Sequence, residues 1–169
     1  MTGSVQAWRK TCQMNRHAAS INWQREGQLF TDRRYSRAHS WSFDGGLVVG
    51  ASSSPHSVRL PFSDPAGIDP EEAMIASLSS CHMLWFLDLA AQAGLVVDSY
   101  IDEAEGEMDK TGCGHNWLAR VILKPVTTFS GRRPGQDELE ALHHEAHVHC
   151  DMARSVRSEI RVIATLGPA

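Results

Sequence analysis

Residues 69–94 constrain the fold more than any other part of the chain. Asp69 offers a carboxylate to the free N–H groups of a first helical turn. Pro70 suits the first helical position, where its missing N–H costs nothing, and Glu72 stands where a capping box needs it. Glu71 and Glu72 also complement the positive end of the helix dipole, and Gly94 supplies a glycine stop. Between these signals Met74, Leu78, Leu84, Trp85, Phe86, Leu87 and Leu89 fall on all sides. A helix without a broad polar face has to be covered on most sides by other structure. It is therefore expected at the centre of the fold, with Cys81 in its middle.

The flanking segments read as sheet. Residues 17–60 alternate polar and apolar, as in Ile21-Asn22-Trp23-Gln24 and Trp41-Ser42-Phe43, and Asp44-Gly45-Gly46 places a turn between strands of an antiparallel meander. Residues 51–55 and 61–67 read as loops by their turn residues. Val96–Met108 and Trp117–Phe129 are strand-like, separated by Lys110-Thr111-Gly112-Cys113-Gly114. Pro134-Gly135-Gln136-Asp137 opens a second helix, on which Leu139, Leu142, Ala146 and Cys150 share helical spacing. Ser158–Leu166 closes the chain as an alternating strand. This order predicts an α+β fold, antiparallel sheets around a long central helix, in a single domain over residues 17–169. Residues 1–13 match no element, and Met14-Asn15-Arg16-His17 reads as a natural start, so residues 1–16, Cys12 included, are expected to be a leader outside the fold.

With 169 residues the chain can bury a core without staples. A net charge of -4 argues against a nucleic-acid partner, because phosphate binding needs a basic face. Arg33, Arg34 and Arg37 read as a solvated strand face. No stretch approaches the roughly 18 apolar residues of a membrane span, since Met83–Ala91 is broken by Asp88. No secretory pattern opens the chain, so a cytoplasmic location and no membrane partner are expected. None of the four cysteines forms a C-x-x-C pair, so neither a zinc ribbon nor a thioredoxin motif is available. In a reducing compartment, any disulfide among them would be transient and catalytic.

A cysteine inside an apolar helix is first of all a small hydrophobe. To act as a nucleophile Cys81 needs a group that favours its thiolate, and it lies too far from the helix N-terminus to use the dipole. Arg37 or Arg59 could supply a guanidinium from the N-terminal sheet. Glu71 precedes Cys81 by ten residues, a rise of about 15 Å, so it cannot touch Cys81 within one continuous helix. It could act there across an antiparallel pair of such helices in a dimer, or after a break. Its task would then be to hold an arginine through a bidentate contact, because a carboxylate alone beside the thiol raises the thiol pKa. A separate constellation, His143, His147 and Cys150, shares one helical face and could ligate zinc. It lacks an evident fourth ligand, and Val148, four residues after His144, breaks the H-E-x-x-H pattern.

The stretch Asp69-Pro70-Glu71-Glu72-Ala73 through Ala76-Ser77-Leu78-Ser79-Ser80-Cys81 resembles the approach to the peroxidatic cysteine in the OsmC/Ohr family of organic hydroperoxide resistance proteins. Ser80-Cys81-His82 is similar to one branch of that family, Ala146-His147-Val148-His149-Cys150 lies where the family places its second cysteine, and Arg37 resembles its active-site arginine. The resemblance spans about residues 17–166. It implies an intertwined homodimer with two long helices packed centrally. It implies a peroxidase in which Cys81 attacks an organic hydroperoxide and Cys150 resolves the sulfenic acid as a disulfide, the reversible branch of cysteine oxidation. Arg37 would stabilise the thiolate, with Arg59 as the alternative, and Glu71 would orient the guanidinium. His82, Trp85 and Phe86 would line the substrate. A dithiol, in the family often a lipoyl group, would reset the enzyme, and no metal, haem or flavin is required. The chain departs from the family in having Asp151 where a proline often follows the second cysteine. Two other readings stand beside this one: an OsmC-like protein without significant peroxidase activity, and a His/Cys metal-binding protein.

Overall fold

In the computed structural model, residues 16–168 are described; residues 1–15, with Cys12 and the expected start at Met14, lie outside them. Helix α1 spans Pro70–Gln92. Both halves of its capping box form: the Asp69 carboxylate accepts from the Glu72 N–H at 2.8 Å, and the Glu72 carboxylate accepts from the Asp69 N–H at 3.1 Å. Gly94 ends the helix with φ +71°, a conformation that costs glycine little.

Strands β1 (Ala19–Asn22), β2 (His39–Phe43) and β3 (Val48–Ala51) form the expected antiparallel meander, turned at Gly46 with φ +85°. The sheet is tied to the start of α1 through β3: the Ile68 N–H donates to the Gly50 carbonyl at 3.1 Å and the Ser52 N–H to the Ile68 carbonyl at 3.0 Å. After α1 come β4 (Val96–Asp102), β5 (Glu105–Lys110), β6 (Asn116–Leu123), β7 (Pro125–Ser130), α2 (Gln136–His149), α3 (Asp151–Ser155), β8 (Glu159–Val162) and β9 (Thr165–Leu166). They build two further three-stranded sheets, ordered β4-β7-β9 and β5-β6-β8. The pairs β4·β7 and β5·β6 are antiparallel, while β8 and β9 join β6 and β7 in parallel.

Each of the two long strand-like runs is thus two strands, divided between sheets. Asp102 sits at this division. Its carboxylate accepts from the Lys124 N–H at 2.6 Å and from the Ser79 hydroxyl at 2.5 Å. One side chain thereby satisfies a backbone donor that has left its ladder and fixes both crossings to α1.

The core has two parts on opposite halves of α1. Phe86, Ala90 and Leu95 pack with Leu139 and Ala146 of α2, and Leu78 packs with Val121 and Leu123 of β6. The buried stripe Leu78, His82, Phe86, Ala90 recurs every four residues, so among the described residues one face of α1 is the covered one. Leu84, on the other side, is 61 % exposed. By length and composition α1 would suffice to cross a membrane, contrary to the expectation that no stretch qualifies. Its packing against α2, α3, β4, β5 and β6 is that of a core helix with one face left open.

Candidate active site around Cys81 and Cys150

Helix α1 crosses α2 antiparallel, with Phe86 against His143 and His82 bonded to it, and this brings the middle of α1 to the end of α2. Cys150 stands at the junction of α2 and α3, where its extended backbone ends one helix and caps the next. Its sulfur accepts from the Ala153 N–H at 3.3 Å. Burial pushes the Cys150 thiol up to about 11, and a hydrogen bond with the Cys81 thiol adds to the rise. The two cysteines are therefore neighbours, both free, Cys81 half-buried and Cys150 only 1 % exposed.

Cys81 borders an open groove of about 540 Å³ formed entirely by α1, through Ser77, Ser80, Leu84, Trp85 and Asp88. The Trp85 ring lies 5.0 Å from that of His149, next to Cys150. Two residues expected along the substrate are elsewhere. His82 and Phe86 turn inward to α2: at 3.6 residues per turn they lie on the face of α1 that the second helix covers. The His82 Nε2 meets the His143 Nδ1 at 3.0 Å, and Phe86 stacks on His143 with 4.2 Å between centroids. Burial first, then the charge of His147, lowers the His82 pKa to about 4; burial and then His82 lower that of His143 to about 3. Both are neutral at physiological pH.

Arg37 and Glu71 meet at a different cavity, of about 410 Å³, which Cys81 does not reach. Its apolar wall is an aromatic group that sequence reasoning missed: Trp23, Phe30 and Tyr35, with centroids 4.6 Å apart for Phe30–Tyr35 and 5.4 Å for Trp23–Tyr35. The cue was the three aromatics within thirteen residues of a polar loop. The Arg37 guanidinium lies over the Tyr35 ring at 3.9 Å and donates to the carbonyls of Tyr35 and Arg33. Arg37 and Glu71 share this cavity without forming an ion pair. Arg59 lines a neighbouring cleft instead.

The zinc reading of His143, His147 and Cys150 is not supported. Among the described residues, no group of three or more His, Cys, Asp or Glu side chains could hold a metal ion. The His143 Nδ1 is engaged by His82 and the buried Cys150 thiol lies beside Cys81, so the three side chains do not converge as a ligand set.

Residues 63–165, which include both cysteines, match the family model described as OsmC-like protein. The chain belongs to the OsmC-like family. A Vibrio cholerae OsmC-like protein of unknown function is 45 % identical to this OsmC-like protein, with a TM-score of 0.87 over 90 % of this chain and 100 % of that one. An organic hydroperoxide resistance protein from Elizabethkingia anophelis superposes with TM-score 0.65 at 14 % identity, over 94 % of this chain and 99 % of that one. For one from Bacillus subtilis the values are 0.58 and 15 %, over 90 % and 98 %. At such identities these last two establish the fold alone. Comparison with functionally curated proteins gives no match. The expected α+β, OsmC-like fold is the one observed.

Proposed function

We propose that this OsmC-like protein is a thiol peroxidase for organic hydroperoxides, working as a homodimer in the cytoplasm. The observation that carries this reading is the adjacency of two free thiols where α1 meets the end of α2, one half-open and one buried. In the first step the Cys81 thiolate attacks the peroxide, the O–O bond breaks, and the departing alkoxide takes up a proton as an alcohol. This leaves Cys81 as a sulfenic acid. Cys150, its thiol pushed up to about 11, stays protonated meanwhile and leaves the peroxide to Cys81. In the second step the Cys150 sulfur attacks the Cys81 sulfur, the S–O bond breaks, and hydroxide leaves with the Cys150 proton as water. The resulting Cys81–Cys150 disulfide is returned to two thiols by two electrons from a dithiol such as a lipoyl group.

The Arg37–Glu71 cavity serves this chemistry from a second subunit. Glu71 opens α1 and Cys81 lies about 15 Å further along it, so antiparallel pairing of the two open α1 faces would bring the first turn of one towards the cysteine of the other. Arg37 suits the role better than Arg59, because only Arg37 borders the cavity that Glu71 borders. The aromatic wall beside it and the Leu84–Trp85 groove favour an organic peroxide over hydrogen peroxide.

The test is consumption of cumene hydroperoxide with dihydrolipoamide. Turnover is expected for the native protein and lost in Cys81→Ser, whereas Cys150→Ser is expected to over-oxidise at Cys81. Turnover that survives Cys81→Ser, or its absence from the native protein, would instead favour an OsmC-like protein of another function.

A further inference from the structure

Beside the aromatic cavity lies a second concavity of about 350 Å³, lined by Asp32, Arg33, Arg34, Arg37, Ser57, Val58, Arg59 and Phe62. Four guanidinium groups thus border one small cleft, in a chain whose net charge is -4. Among the described residues none of the four makes an ion pair, while Arg120, Arg132 and Arg161 each have a carboxylate within hydrogen-bonding distance. The one acid in the cleft is engaged locally, where the Asp32 carboxylate accepts from the Arg34 N–H at 3.0 Å.

The cleft is held together rather than assembled by chance exposure. The Arg37 N–H donates to the Phe62 carbonyl at 2.9 Å, and the Phe62 N–H donates to the Arg59 carbonyl at 3.1 Å. These two bonds fix the turn that carries Arg33, Arg34 and Arg37 against the turn that carries Arg59. Two of the side chains are also steadied on aromatic faces. The Arg34 guanidinium lies 5.8 Å from the Phe62 ring centroid and that of Arg37 lies 3.9 Å from Tyr35. Like charges that line one small cleft repel one another where they lie within a Debye length, about 8 Å at physiological ionic strength, and an anion between them offsets that repulsion. Planar guanidinium forks match the oxygens of phosphate better than any monovalent halide.

We propose that the Arg33–Arg34–Arg37–Arg59 cleft is a binding site for a small anion carrying phosphate groups. Arg33, Arg34 and Arg59 supply charge and forked donors, and the Ser57 hydroxyl borders the same space. Arg37 and Ser57 line both this cleft and the aromatic cavity, so the two concavities adjoin at these residues. An anion in the cleft therefore draws on the guanidinium that the peroxide would use. That consequence, unlike the binding itself, rests on the peroxidase reading.

The experiment is titration calorimetry of the full chain with inorganic phosphate and with pyrophosphate in low-salt buffer, with succinate as a carboxylate control. Pyrophosphate is expected to bind more tightly than phosphate and succinate. The Arg34→Ala/Arg59→Ala variant, checked for folding by circular dichroism, should lose about tenfold in affinity per guanidinium, the effect of one charge-assisted hydrogen bond. Arg34→Lys/Arg59→Lys should recover part of that loss. No pyrophosphate binding at millimolar concentration, unchanged binding in the alanine variant, or tighter binding of succinate would each overturn the site. In the peroxidase assay pyrophosphate should raise KM for cumene hydroperoxide and leave kcat unchanged. Binding with an unmoved KM would show that Arg37 is not shared, while binding without any turnover would leave the anion site standing and remove only the peroxidase reading.

Discussion

The residues that decide most at the site are ones whose neighbours changed their meaning. His82 stands beside Cys81 in sequence, yet it contributes to the core. It and His143 share one hydrogen bond, and in the neutral state one ring donates while the other accepts. Their outer nitrogens, the His82 Nδ1 and the His143 Nε2, are buried without a protein partner. Protonating either ring places a charge in that core. With folded pKa values of about 4 and about 3 against an ordinary value of 6.5, the unfolded chain binds these protons first as pH falls. The pair's contribution is therefore intact above pH 6.5 and declines as pH drops through 6.5 towards 4. Urea unfolding followed from pH 7 to 4 should show the midpoint falling more steeply in the native protein than in His82→Leu/His143→Leu. Equal slopes would assign the acid sensitivity to other groups.

Among the elements, α1 depends on close approach as well as on its caps. Gly106 in β5 passes so near the helix that a Cβ there would lie 2.5 Å from the Ile75 Cδ1 and 2.8 Å from the Leu118 Cδ1. A side chain at this point would force the Ile75 and Leu118 side chains to move between α1 and the β5-β6-β8 sheet. Gly106→Val is expected to destabilise the fold by about 1–3 kcal/mol, the usual range for overpacking. Combining it with Ile75→Ala should restore part of the loss, because the contact is with the end of that side chain. Thermal unfolding of the two variants checks this, and a neutral Gly106→Val would mean that the sheet yields without cost.

For the whole molecule, the described residues leave part of their apolar surface uncovered. Leu84 on α1 is exposed, and so are Ile21, Phe43, Leu47 and Val48 on the β1–β3 sheet. Apolar side chains grouped on an open face, as Leu84 and Trp85 are on α1, mark surfaces that other chains cover. Sedimentation velocity should find a dimer, and Leu84→Asp, which places a carboxylate in the proposed interface, should shift it to monomer and abolish peroxide turnover together. A monomeric native protein that turns over normally would remove the shared-site arrangement.

The local signals of α1 were legible because each acts within a few residues. A carboxylate at Asp69 caps the turn that follows, Gly94 takes the conformation that ends the helix, and Gly46 turns β2 into β3. The candidate nucleophile was legible too, since a cysteine in an approach such as Ser79-Ser80-Cys81 carries a family signature in the chain itself. Tertiary structure alone decided which side of α1 is covered, because a helix apolar on every face has no pattern that orients it. That choice turned His82 and Phe86 inward and left Cys81, Leu84 and Trp85 facing the groove. It also made Cys150 the neighbour of Cys81 across a separation of 69 residues, a pairing that the family resemblance implied but that no periodicity within either helix could encode.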